Sequence, residues 1–98
     1  MISSFKDITV LVTGASSGIG KAMTRELAAR GAHLILVSRN AQRLEQEAED
    51  LRVRFGVNVH VFPEDLEHFE ERLELFAWVQ KSGLTVDVLV NNAGVAYY

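Results

Sequence analysis

Four short runs rich in Val, Ile and Leu alternate with three longer stretches of helical period, and this alternation constrains the fold more than any other feature. The runs are ITVLVT (8–13), AHLILVS (32–38), VNVHVF (57–62) and VDVLVN (86–91). Three are dense in branched apolar residues, as strands covered on both faces are. The third alternates Val57, Val59 and Val61 with Asn58, His60 and Phe62, which suits an edge strand with one poorly covered face. Strand–helix–strand connections of this length call for parallel pairing with right-handed crossovers. The expected fold class is α/β, a doubly wound parallel sheet with helices on both faces.

The first helix is expected over 18–30, with Ile19, Ala22, Met23 and Leu27 as its apolar stripe and Gly31 as its stop. The second is expected over 41–55. Leu44, Ala48, Leu51 and Phe55 recur there at spacings of four, three and four, and Asn40 is a good N-cap. The third is expected over 66–82, using Leu66, Phe69, Leu73 and Phe76, with Asp65 as N-cap and Gly83 as stop. Trp78 and Val79 flank that stripe and are assigned to the core, with a partner surface as the alternative for Trp78.

The chain has 98 residues, 48% hydrophobic and 23% charged, the profile of one soluble domain or one part of a domain, with no repeat, linker or low-complexity tract. A formal net charge of −3 argues against a general nucleic-acid binder, and no Lys/Arg run suggests a membrane patch. There is no cysteine, hence neither a disulfide framework nor a thiolate metal site. His33, His60 and His68 lack ligand-like spacing, so no metal site is expected. The N-terminus lacks the features of a signal peptide, and no apolar run reaches spanning length. A soluble, cytoplasmic setting is the default expectation.

Between the first strand and the first helix lies TGASSGIG (13–20). A glycine-rich turn at that junction meets unpaired helix amides and the positive end of the helix dipole, a ready anion site. Gly14 can make the turn, Gly18 can admit a pyrophosphate, and Gly20 can allow close helix-to-strand packing. Ser16 and Ser17 add hydroxyl donors. The spacing G-x-x-x-G-x-G differs from the widespread G-x-G-x-x-G, and no G-K-[ST] of a triphosphate loop follows. By itself the triplet leaves a plain turn open as an alternative.

The rest of the chain narrows the choice, because it resembles the short-chain dehydrogenases/reductases of the standard type. Their T-G-x-x-x-G-x-G is matched by Thr13, Gly14, Gly18 and Gly20, and their N-N-A-G by Asn91, Asn92, Ala93 and Gly94. Asp65, in EDL, matches the acidic residue they often carry after the third strand. The resemblance covers the whole chain. It implies a Rossmann-type sheet in the order 3-2-1-4, forming residues 1–98 of an NAD(P)-binding domain. The implied cofactor contacts are Gly14, Ser16, Ser17, Gly18, Ile19 and Gly20 in the turn, and Asp65 with Leu66 after the third strand. Asp65 would meet the adenine amino group. Asn92, Ala93 and Gly94 would line the ribose side, whereas Asn91 is expected chiefly to tie strand ends. Thr13 is expected to tie the turn to the sheet, and Lys21 to be a solvated side chain.

Cofactor choice rests on the end of the second strand. Dinucleotide folds that prefer NAD place an acid there for the ribose 2′-hydroxyl. Here stand Ser38, Arg39 and Asn40, so a guanidinium can grip a phosphate and no carboxylate repels it. NADP(H) is therefore expected over NAD(H). NADP-preferring relatives often carry a second base just before the middle glycine, where this chain has Ser17.

The resemblance also implies chemistry whose residues this chain lacks: a Y-x-x-x-K pair with an upstream Ser, acting while hydride moves between nicotinamide and a carbonyl or alcohol carbon. Tyr97 and Tyr98 are the only tyrosines and no lysine follows them, so no catalytic residue is assigned. The fourth strand is as apolar as an interior strand, and its open edge would need cover. The expectation is the cofactor-binding part of a longer oxidoreductase, inactive alone and homo-oligomeric when complete. The alternative is a non-catalytic dinucleotide-binding module or truncated gene product.

Overall fold

The computed structural model describes residues 4–16, 18–64 and 68–91. Its elements follow the order β1 (Thr9–Thr13), α1 (Gly18–Ala29), β2 (His33–Val37), α2 (Ala41–Phe55), β3 (Val59–Phe62), α3 (Phe69–Ser82) and β4 (Val88–Asn91). The four strands form one sheet in the order β3-β2-β1-β4, every pair parallel. The expected topology is the one observed, with β3 at an edge.

Side chains alternate across each strand, so one sheet feeds two cores. Val10, Val12, Leu34, Leu36 and Val59 point to one face, where Ala28 of α1 and Leu44, Ala48 and Leu51 of α2 cover them. Leu11, Ile35 and Val37 point to the other, where Leu75 is the buried residue of α3 and Trp78 and Val79 pack partly buried. Trp78 meets the rings of His60 and Phe62 at centroid distances of 5.8 and 5.6 Å, which gives it the core role expected of it.

Helix α2 lies where its periodicity put it. Asn40 Oδ1 accepts from the Arg43 amide at 3.0 Å, and Gly56 closes the other end in the left-handed region at φ 68°. Arg52 then donates to the Val59 carbonyl from Nε at 3.1 Å and Nη2 at 2.5 Å, fastening the helix to the edge strand that follows it. Phe55, expected in the stripe, stands exposed at the helix end.

The other two helices depart from expectation. Helix α1 turns Gly20, Thr24 and Ala28 inward, a row of small residues four apart that lets the helix lie close on the sheet. Of the expected stripe, Ile19 and Ala22 are exposed while Met23 and Leu27 are half-buried. Helix α3 begins at Phe69 rather than at 66. His68 occupies its N-cap without a side-chain capping hydrogen bond to the helix, and Glu70 and Glu71 sit in the first turn, where the dipole favours acids. Asp65 is therefore not the N-cap of the observed helix; it and Leu66 lie outside the described residues. Phe69, Leu73 and Phe76, expected in the core, are 61%, 51% and 62% exposed. Their stripe is real, but the sheet is met by Leu75, Trp78 and Val79 instead.

Strand β4 is fixed to β1 at both ends. At the start, Asp87 Oδ2 accepts from the Thr9 amide and the Asp87 amide donates to the Thr9 carbonyl, each at 2.9 Å. At the finish, Thr13 Oγ1 lies 3.1 Å from Asn91 Oδ1 and 3.4 Å from the Val90 carbonyl, donating to both. Between these ends Val88 and Leu89 are exposed.

Candidate functional site

The strand order sets β1 between β2 and β4, so successive crossovers leave it in opposite directions. The carboxyl ends of strands at such a switch point border the crevice where open α/β sheets receive ligands. TGASSGIG occupies that end of β1. Gly14 and Gly18 adopt φ 64° and 45°, conformations that a side chain resists. A Cβ on Gly18 would find no protein atom within 4 Å, so this glycine is required by its backbone and faces open space.

Polar bonds hold the turn in shape. The Ala15 amide donates to the Val37 carbonyl at 3.2 Å, and the Ser16 and Ser38 hydroxyls share a hydrogen bond at 2.5 Å. The Asn40 amide donates to Ser38 Oγ at 3.4 Å. Together these pull the turn onto the end of β2, while Thr13 ties the end of β1 to that of β4. Three strand ends thus share one rim. Just beyond it α1 begins at Gly18, so its first-turn amides have no carbonyl one turn back within the helix, and no acidic side chain offsets the dipole there.

The expected site residues divide by position. Gly14, Ser16 and Ser38 are half-buried at the rim, Gly20 is buried under it, and Gly18, Arg39 and Asn40 are exposed around it. Ile19 stands 69% exposed beside the turn. Asn91 ends β4 in its bond with Thr13, the strand-end tie expected of both residues. Ser17, Asp65, Leu66, Asn92, Ala93 and Gly94 lie outside the described residues. Among the described residues no three His, Asp or Glu side chains are grouped so as to hold a metal ion, and no helix is long and apolar enough to cross a membrane.

Sequence reasoning missed two charged features. Glu47 is buried on the inner side of α2, its Oε2 accepting from Thr24 Oγ1 at 3.3 Å and its Oε1 lying 3.6 Å from Arg25 Nε. Its position among Leu44, Ala48 and Leu51 was the available signal, an acid at core spacing. Glu64, just after β3, has its carboxyl pushed up to about 7, first by a hydrogen bond with Glu71, then by desolvation and by Glu74. Nothing in sequence spacing announces that trio, because Glu64 meets the other two only once α3 has folded back.

A parallel sheet in this order, with a glycine turn at its switch point, is an α/β fold of the Rossmann kind. Comparison with known proteins sharpens that class: the family model for short chain dehydrogenases matches residues 8–97, and the chain belongs to that family of oxidoreductases. It is 40% identical over 89 residues to a very-long-chain 3-oxoacyl-CoA reductase of Anas platyrhynchos, covering 89% of this chain and 28% of that protein. It is 40% identical over 85 residues to a farnesol dehydrogenase of Aedes aegypti, covering 87% of this chain and 35% of that one. Among solved structures, L-sorbose reductase from Gluconobacter frateurii, complexed with NADPH and L-sorbose, superposes with a TM-score of 0.89 at 37% identity. The match covers 97% of this chain and 36% of that one. An alcohol dehydrogenase from Thermococcus sibiricus complexed with 5-hydroxy-NADP matches with a TM-score of 0.79 at 36% identity, over 84% of this chain and 35% of that one. The chain therefore spans about a third of the length of these relatives.

Proposed function

We propose that this chain is the cofactor-binding part of an NADP(H)-dependent oxidoreductase acting on a carbonyl or alcohol substrate. The observation that carries the reading is the rim itself. A glycine turn open toward solvent at Gly18 adjoins a β2 end that bears Ser38 and Arg39 and no carboxylate.

The residues fit such a cofactor. Glycine at 14 and 18 keeps side chains away from an approaching diphosphate, and the α1 amides and dipole favour its charge. The Ser16–Ser38 bond fixes two hydroxyls at the rim that could serve the cofactor's ribose. Arg39 supplies a cation for a 2′-phosphate, and the lack of an acid there removes the usual partner of an unphosphorylated ribose. The nicotinamide, when bound, supplies or accepts the hydride. Asn91 and the three residues after it would border its ribose, and the acid–base residues would belong to the remainder of a longer protein. The NADPH and 5-hydroxy-NADP complexes of the two structural relatives favour the phosphorylated cofactor.

Titration of the purified chain with NADPH and NADH, followed by nicotinamide fluorescence, tests the reading. NADPH is expected to bind more tightly. Arg39→Ala is expected to weaken NADPH by roughly ten- to a hundredfold, the equivalent of one charge-assisted hydrogen bond. Equal NADPH affinity in wild type and variant would refute the assignment.

A further inference from the structure

Helix α1 carries the amides that would meet a diphosphate, yet little apolar packing fixes where it lies. Its buried residues are Gly20, Thr24 and Ala28. Small side chains admit a close approach but interlock weakly, so by themselves they leave a helix free to shift. Toward α2 the first halves of the two helices are separated by a cavity of about 530 Å3, lined by Ser16 and Gly18 of the glycine turn as well as by Arg25 and Glu47. What crosses that gap is polar. Arg25 reaches Glu47 at 3.6 Å and Asp50 at 3.3 Å, but its side chain is 45% exposed and water screens both pairs. The sheltered link is the bond from Thr24 Oγ1 to Glu47 Oε2, at 3.3 Å between two buried side chains.

Glu47 stands there against the ordinary rule. Among the described residues it is the one buried side chain with an ionisable group, and its Oε1 has no hydrogen-bond partner. It shares the inner face of α2 with Leu44, Ala48 and Leu51, where an apolar side chain of similar size would be buried without that penalty. A rule broken in the core beside a site marks a functional constraint. The bond that Glu47 makes leads to the site. Thr24 Oγ1 also donates to the Lys21 carbonyl at 2.8 Å, so the single hydroxyl proton is shared between Glu47 and the first turn of α1. That turn begins at Gly18, inside the glycine turn.

We infer that Glu47 is a positioning residue for the cofactor: through Thr24 it pins the start of α1 against α2, and so holds the first-turn amides in the geometry a diphosphate needs. The inference rests on the dinucleotide reading above, but not on the choice between NADP(H) and NAD(H). Glu47 acts from within the core and touches neither nucleotide. Its effect therefore falls on the diphosphate, which both nucleotides share, and leaves the preference between them to the end of β2. Binding is tightest when the site is held ready beforehand, and one sheltered bond between two helices does that here.

The test titrates NADPH and NADH into wild type, Glu47→Leu, Glu47→Gln and Thr24→Val, with a thermal melt of each. Glu47→Leu places apolar atoms on the inner face and is expected to melt at or above the wild-type temperature. It is nevertheless expected to bind both nucleotides about tenfold more weakly, with their ratio unchanged. A residue that served stability alone would not separate the two readouts. Thr24→Val removes the hydroxyl and should weaken both nucleotides alike. Glu47→Gln keeps an acceptor for Thr24 and should restore most of the affinity. If Glu47→Leu fails to fold, Thr24→Val decides in its place. Wild-type affinity in Thr24→Val or in a folded Glu47→Leu, a changed ratio of the two nucleotides, or a Gln variant no better than Leu would overturn the inference and leave the cofactor reading standing. A wild type that binds neither nucleotide would overturn both.

Discussion

The two faces of the sheet are finished to different degrees. On the α1–α2 face, Val10, Val12, Leu34, Leu36, Leu44, Ala48 and Leu51 are almost fully removed from solvent. On the α3 face a single helix crosses the sheet, Leu75 is its buried contact, and Phe69, Leu73, Phe76 and the nearby Leu89 of β4 remain largely exposed. Apolar area removed from water stabilises by about 25 cal/mol per Å2, so exposed aromatic rings contribute little of what they could. The first face is an autonomous core. The second leaves large apolar side chains in solvent, and a chain spanning about a third of its relatives' length fits the proposal that the rest of a longer protein covers them.

The sharpest way to break this contrast is to cut into each face. Leu36→Ala removes a side chain with no exposure, and a loss of about 2–5 kcal/mol is expected from urea unfolding. On so small a domain that approaches the whole stability. A milder probe takes the other face: Phe69, Leu73 and Phe76 replaced together by Ser should change stability by less than about 1 kcal/mol. The same triple variant should self-associate less than wild type in analytical ultracentrifugation, because large exposed apolar patches drive association. A loss as large as that of Leu36→Ala would make the α3 face a true core.

The smallest effect concerns the acids beside α3. Glu64 is raised to about 7 from an ordinary 4.5, so the folded chain binds more protons than the unfolded chain between those values. Its contribution to stability is therefore present at low pH and is lost as pH rises from about 4.5 through 7. Thermal melts should show wild type losing more stability across that window than Glu64→Gln. Parallel curves for the two proteins would remove Glu64 from the account.

The same division governs what the sequence revealed. The bounds of α2 were legible because Leu44, Ala48 and Leu51 mark a face and Asn40 opens it, whereas the strand order followed from the family resemblance. The α3 stripe was equally visible but its meaning was not, since periodicity marks an apolar side without saying what will cover it. Helix α1 was misread because its inward row, Gly20, Thr24 and Ala28, carries almost no hydrophobic signal; small residues mark close approach instead. In the candidate site the glycines could be read from spacing. The Ser16–Ser38 bond and the Arg25–Glu47 pair could not, since each joins side chains far apart along the chain.

The clasp between Asp87 and Thr9 reaches further than its two hydrogen bonds suggest. A strand displaced by one residue inverts every side chain on it. Such a slip of β4 would carry Asn91 out of reach of Thr13 and swing Leu89 to the opposite side of the sheet. A carboxylate at the foot of the sheet thus acts as the alignment pin for the rim at its head, four residues away along each strand.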